Sequence, residues 1–227
     1  MDPDSLFETL VDDGVLVASR GNSRLSEEFS EAVSDRAERV RDDGFDPESP
    51  DLAQLDRSRV VAVRRAFEDD PTLLGTFWAL GAFLSDVTFV DILRVLLVLD
   101  TLQHPPDREE GVPDSFLAIR GDRLAKFFPF IQHGMVYVWR EDCNPCDTIV
   151  EQFEQLPSDA SEGTLRLSVY GPAWAELLET EYDVVGAPTT LFVADGTVDA
   201  RLVGAHPANT IEQEIVTTRE RARAGRE

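Results

Sequence analysis

"VYVWREDCNPCDTIVEQF", Val136–Phe153, holds the two cysteines of a 227-residue chain, Cys143 and Cys146. The β-branched and aromatic residues up to Trp139 read as a strand. After Cys143 the period changes: Ile149, Val150, Phe153 and Leu156 fall on one side of a helix. A strand therefore ends just before the first cysteine, and a helix runs from Cys143 to Leu156. The first turn of a helix has unpaired N–H groups and a positive dipole end, which stabilise a thiolate at Cys143. Pro145 suits that turn because no N–H bond is lost there. Cys146, about one turn further on, is within disulfide reach.

This geometry supports attack by Cys143 on a substrate disulfide, followed by attack of Cys146 on the mixed disulfide. Two alternatives stand beside it. A zinc site would need further Cys or His ligands, and the histidines are His104, His133 and His206, with no finger-like spacing. Two small core residues that happen to be close would need no chemistry at all. No metal is expected.

Working outward, strands and helices alternate through the second half. "FLAI", "MVYVW", "LRLSVY", "TTLFVA" and "VDARLVG" read as strands, the last two joined through Asp195-Gly196, a hairpin signal. "DRLAKFFPFIQH", "AWAELLETEY" and "PANTIEQEIVTTRERARA" read as helices, the first disturbed by Pro129. The order βαβαβαββα implies an α/β fold, a mixed sheet with helices on both faces.

The first half reads as mainly helical. Leu25, Phe29, Ala32, Val33, Ala37 and Val40 form a helical stripe, and "VLVAS" reads as a short strand. "SPDLAQLDRSRVVAVRRAF" opens with Ser49 as cap and Pro50 at the first helical position; "DPTLLGTFWALGAFL" repeats that start with Asp70 and Pro71. "SDVTFVDILRVLLVLDTL", nearly apolar all round, is expected to be the central buried helix. "QHPPDREEGVPDS" carries three prolines and a glycine and reads as a boundary. The expected organisation is a mainly helical domain, 1–104, a linker, 105–115, and an α/β domain, 116–227.

The chain has 44 acidic and 21 basic residues, a formal net charge of −23, and Lys126 is its one lysine. The acids are spread, 25 before Pro113 and 19 after it, so they do not form an acidic tail. We read this as the surface of a halophile's cytosolic protein, where a Debye length of about 3 Å at 1 M salt removes most self-repulsion. An acidic mesophilic protein is the alternative. Nucleic-acid binding is disfavoured, since phosphates need a basic face. The N-terminus lacks a basic region followed by an apolar core, and Asp86, Asp91, Arg94 and Asp100 interrupt the longest apolar stretch. No secretory signal and no membrane span are expected, and a cytoplasmic location follows.

"YDVVGAPTTLFVADGTVDARLVGA", Tyr182–Ala205, resembles the C-terminal half of thioredoxin nearly position by position. Pro188 matches the family's cis-proline, Thr189 follows it as usual, and Val203-Gly204-Ala205 matches the exit of the last strand. Trp139 matches the tryptophan commonly found four residues before the first cysteine. The resemblance covers about residues 113–227. It implies a thioredoxin-like fold with a redox-active Cys143–Cys146 disulfide and no other cofactor. It also implies that Pro188 packs beside the cysteines, while the backbone of Ala187 is exposed to pair with an extended substrate. Asp142, Asn144, Pro145, Ala187 and Thr189 would then meet the substrate, with Trp139, Tyr137, Glu141 and Asp147 in support.

Three departures qualify the resemblance. Asp142 stands where thioredoxins usually have Trp, and Asn144 replaces Gly. Tyr137 stands where a typical thioredoxin buries an Asp that helps move the second cysteine's proton. A phenol is a poor base at neutral pH. Proton transfer at Cys146 must then use water or another carboxylate, with Glu141 and Asp147 nearest in sequence. The acidic neighbours oppose thiolate formation, which makes the disulfide more stable and the expected potential reducing.

The expected activity is thiol–disulfide exchange reducing protein disulfides, with disulfide-containing client proteins and a thioredoxin reductase as partners. A redox-sensing or adaptor protein, and an interaction module with idle cysteines, are the competing readings.

Overall fold

In the computed structural model the described residues are 3–19, 22–85, 87–157 and 163–224. The chain divides between Asp100 and Thr101 into two compact units.

The first unit begins with helix α1, Pro3–Asp12, and an antiparallel hairpin of β1, Leu16–Ser19, and β2, Asn22–Leu25. Helix α2, Glu27–Asp43, starts where the Ser26 side chain accepts the Phe29 N–H. Helices α3, Arg57–Ala66, α4, Pro71–Phe83, and α5, Phe89–Gln103, follow, with α5 running across the boundary. Asp70 caps α4 as its sequence implies, accepting the Leu73 N–H at 3.0 Å.

Two expectations need correcting. Ser49 and Pro50 do not open one long helix. They start a single 3-10 turn, Pro50–Leu52, and α3 begins anew with Asp56 as cap. The turn is pinned by Trp78, whose indole N–H reaches Ser49 Oγ at 3.0 Å and Asp51 Oδ2 at 2.9 Å. Nor is α5 the central helix. Every residue of α4 from Leu73 to Gly81 is buried, whereas α5 leaves Val98 and Leu102 exposed. Gly75 of α4 lets α2 come close, since a Cβ there would lie 2.7 Å from the Ala37 nitrogen.

The second unit is a mixed α/β fold. In chain order it comprises β3, Leu117–Ala118; α6, Gly121–Phe127; β4, His133–Trp139; α7, Asn144–Glu154; β5, Leu165–Tyr170; α8, Ala175–Tyr182; β6, Thr189–Ala194; β7, Thr197–Val203; and α9, Ala208–Ala224. The sheet order is β3-β5-β4-β6-β7. Strand β5 runs parallel to β3 and β4, while β6 is antiparallel to β4 and β7. Pro129 ends α6 in a 3-10 turn, as its missing N–H requires. Asp195 and Gly196 both have positive φ, which the tight β6–β7 hairpin needs.

Strand alternation decides what the sheet offers to α7. Met135, Tyr137 and Trp139 point to one face and join Phe153, Phe192, Ile211 and Ile215 in a buried cluster with both cysteines. The site therefore rests on a rigid core at the end of the central strand.

The segment 105–115, expected to be a linker, packs on this second unit. Val112 lies against the core cluster and Asp107 accepts the Trp174 indole N–H at 2.6 Å. Its prolines and glycine shape a surface segment that side chains hold in place.

Candidate active site

Strand β4 stops at Trp139, and Asp142 turns the chain with φ 50°. Cys143 is the cap of α7, one residue before the helix itself. Its Sγ accepts the Cys146 N–H at 3.2 Å, so the sulfur occupies the place of a capping oxygen. A thiolate at that atom would face the N–H groups and the positive end of α7. Cys143 and Cys146 form a disulfide, with their Cα atoms 5.2 Å apart. Both residues are buried, while Asp142, Asn144, Pro145 and Asp147 around them are exposed.

The Ala187–Pro188 peptide bond is cis. It brings the Ala187 carbonyl oxygen to 3.8 Å from Cys143 Sγ. The loop is fastened on both sides of that bond. Thr189 Oγ1 donates to the Gly186 carbonyl at 2.7 Å, and the Gly204 N–H donates to the Pro188 carbonyl at 2.8 Å. Thr189 is itself buried, and its hydroxyl serves this loop. Beside Ala187 lies a hollow of about 190 Å³ walled by Val138, Pro172, Leu178 and Val185. Val185 is 75% exposed there, an apolar side chain open to a partner.

Behind Cys146 the surroundings are different. Tyr137 is fully buried and its hydroxyl donates to the Cys146 carbonyl at 3.3 Å. Burial, and then the Asp147 charge, push its phenol well above the ordinary range, so it stays protonated. Sheet register sets Ser168 and Thr190 on either side of Tyr137. Both hydroxyls are buried without a hydrogen-bond partner, as is the Trp139 indole nitrogen.

A cavity of about 280 Å³ opens on this side, lined by Tyr137, Trp139, Glu141, Asp142, Cys146 and Asp147. The 105–115 segment supplies its outer wall. Gly111, at φ 96°, lies so close to Trp139 that a Cβ would sit 2.8 Å from the ring. Arg108 pairs with Glu141 at 2.6 Å, and Tyr170 donates to the same carboxylate at 3.2 Å. Trp139 meets the Tyr170 ring edge-on at 5.2 Å.

The site residues named from the sequence thus gather around the disulfide in two groups. Cys143, Asn144, Pro145, Ala187 and Pro188 lie on the cis-proline side, and Tyr137, Trp139, Glu141 and Asp147 lie behind Cys146. Arg108, Gly111 and Tyr170 were missed. Their contacts join positions 28 or more residues apart in sequence (Gly111 to Trp139 is the shortest), and no local pattern announces them. Among the described residues no group of three or more His, Cys, Asp or Glu side chains could hold a metal ion, and no helix is long and apolar enough to cross a membrane.

No protein-family model and no curated protein matches the sequence. Solved structures of thioredoxins do. A thioredoxin of Malassezia sympodialis is 21% identical, over 47% of this chain and 95% of that one, with a TM-score of 0.41. A mutant thioredoxin from Halobacterium salinarum is 20% identical, over 47% and 92%, with a TM-score of 0.40. Plasmodium falciparum thioredoxin is 19% identical, over 44% and 96%, with a TM-score of 0.38.

Proposed function

We propose that the chain is a thiol–disulfide oxidoreductase that reduces disulfides of client proteins in a high-salt cytosol. The observation that carries this reading is the position of Cys143. Its sulfur caps α7 and lies 3.8 Å from the carbonyl of Ala187, which precedes the cis-proline. A client segment running along Ala187 would present its disulfide to that sulfur.

In the reduced protein, Cys143 thiolate attacks a client sulfur. The client disulfide breaks, and its other sulfur leaves as a thiolate and takes a proton. Cys146 then attacks Cys143 Sγ, forms the intramolecular disulfide and expels the second client thiol. Two electrons pass from the dithiol to the client, and a thioredoxin reductase would restore them. Asp142, Asn144 and Pro145 form the exposed rim over which the client passes. The −23 charge supports the high-salt setting, because self-repulsion of that size is screened in molar salt. The test is insulin reduction in 2 M KCl. Catalysed precipitation of the reduced chains, lost in Cys143→Ser, is expected; no rate above background would overturn the reading.

A second reading is favoured by the separate compact unit before Thr101. A general reductase does not need it, so the thioredoxin-like unit would dock specific partners as a redox sensor or adaptor. Trapping with Cys146→Ser separates the two. A small set of mixed disulfides supports the sensor, and a broad set supports the general reductase.

A further inference from the structure

The disulfide has two flanks, and their charges differ. On the cis-proline side, the hollow beside Ala187 carries one residue of each sign, Glu179 and Arg140. On the Cys146 side, the cavity carries Glu110, Glu141, Asp142 and Asp147 against the same Arg140. Arg108 and the Tyr170 hydroxyl hold Glu141. Among the described residues no ion pair and no side-chain hydrogen bond engages the other three carboxylates, and all three are exposed.

Exposed carboxylates attract cations of every kind, and two features of this cavity narrow the choice. Its volume of about 280 Å³ lies below the range of small-molecule sites, about 300–1,000 Å³, and suits one long side chain. Trp139 stands on its wall, 3% exposed, and the indole N–H has no acceptor among the described residues. A basic residue of a peptide brings both missing partners, a cation for the carboxylates and a backbone carbonyl for the indole. An inorganic cation brings only the first. Cys146 is part of the same wall, so a residue seated there belongs to the segment whose disulfide is being exchanged.

Glu110 is the carboxylate that stands apart from the sulfur chemistry. Glu141, Asp142 and Asp147 all lie within two residues of a cysteine in sequence. Glu110 comes instead from the segment 105–115, between Arg108, which pairs with Glu141, and Gly111, which packs on Trp139. Its charge can be changed without altering the neighbours of either thiol.

We infer that the Cys146 side of the site selects clients with a cationic side chain beside their disulfide, and that Glu110 is a specificity-determining residue for them. The inference rests on the thiol–disulfide reading of the site. The whole chain, at −23, also attracts cations. Salt separates the two effects: a Debye length of about 3 Å at 1 M, and less above it, removes long-range attraction and leaves pairs in contact.

The experiment uses the reduced full-length protein in 2 M KCl and three disulfide-linked peptide dimers. The first is built from acetyl-Arg-Ala-Cys-Ala-Arg-amide; the others carry glutamine or glutamate in place of both arginines. The second-order rate of protein oxidation is followed by acid quench and mass spectrometry. For wild type we expect the arginine peptide to react about fivefold faster than the glutamine peptide, the upper end for one exposed charge pair. The glutamate peptide should be the slowest. Glu110→Gln should bring the arginine-to-glutamine ratio down to about twofold, and Glu110→Arg to about one or below. Glu109→Gln removes the same charge one residue away, on the wall of a different hollow, and should keep the full ratio. A cavity that holds an inorganic cation instead would be filled at this K⁺ concentration and give equal rates. Equal rates for the three peptides in wild type, or a ratio lost as much in Glu109→Gln as in Glu110→Gln, would overturn the preference and leave disulfide exchange standing. No exchange with any of the three would overturn both.

Discussion

Gly111→Ala tests whether the segment before β3 is part of the second compact unit. Two costs add at this residue. Its φ of 96° lies in the region that a Cβ disfavours, at about 1–2 kcal/mol. The new methyl would also sit 2.8 Å from the Trp139 ring. Trp139 is buried between Tyr170 and the core and has little room to yield, so overpacking adds about 1–3 kcal/mol. A loss of about 2–5 kcal/mol follows. With a urea slope of about 2 kcal/mol per molar, the midpoint should fall by about 1–2.5 M. The assay is urea unfolding of the full chain in 2 M KCl, followed by tryptophan fluorescence. A free linker gives the opposite sign, because Gly→Ala in an unconstrained segment stabilises by about 0.4–1 kcal/mol through the unfolded chain. An unchanged or raised midpoint would therefore refute the packing described here.

Other expectations follow from the same contacts. A fragment 101–227 should fold and resist more urea than 116–227, which lacks the residues over Trp139; equal midpoints would count against the boundary at Asp100. Burial, with a smaller push from Glu181, holds the Tyr182 phenol up to about 12. The unfolded chain sheds that proton from about pH 10, so stability falls as pH rises from there toward 12. Tyr182→Phe should escape about 1.4 kcal/mol of the loss at pH 11; an unaltered alkaline slope would show that the phenol is not shielded. The melting temperature of the full chain should rise between about 0.1 and 2 M KCl, and a flat response would contradict the role given to its charge.

The sheet-forming half was the more legible. Its central strands are short runs rich in β-branched, aromatic and other apolar residues, its helices carry one-sided apolar stripes, and Pro129 and Asp195-Gly196 mark the turns where they occur. The Cys143–Cys146 pair and the Ala187–Pro188 bond could be placed together because family resemblance supplied the long-range contact. The first half lacked such help. Ser49-Pro50 and Asp56 both look like helix starts, and the choice between one helix and two rests on Trp78, 27 residues from Asp51. The long apolar run of α5 hid its exposed side at Val98 and Leu102. The segment 105–115 has a linker's composition, and what anchors it, Arg108 to Glu141 and Gly111 to Trp139, leaves no local trace.

The central claim is that Cys143 opens the client disulfide and Cys146 closes the cycle. Its most direct measurement is the site of a trapped adduct. Reduced Cys146→Ser and Cys143→Ser proteins would each be incubated with an oxidised disulfide client in 2 M KCl, quenched with acid and mapped by mass spectrometry. The account expects a mixed disulfide on Cys143 in the first variant and almost none in the second. Equal adducts on both cysteines, or a preference for Cys146, would contradict it.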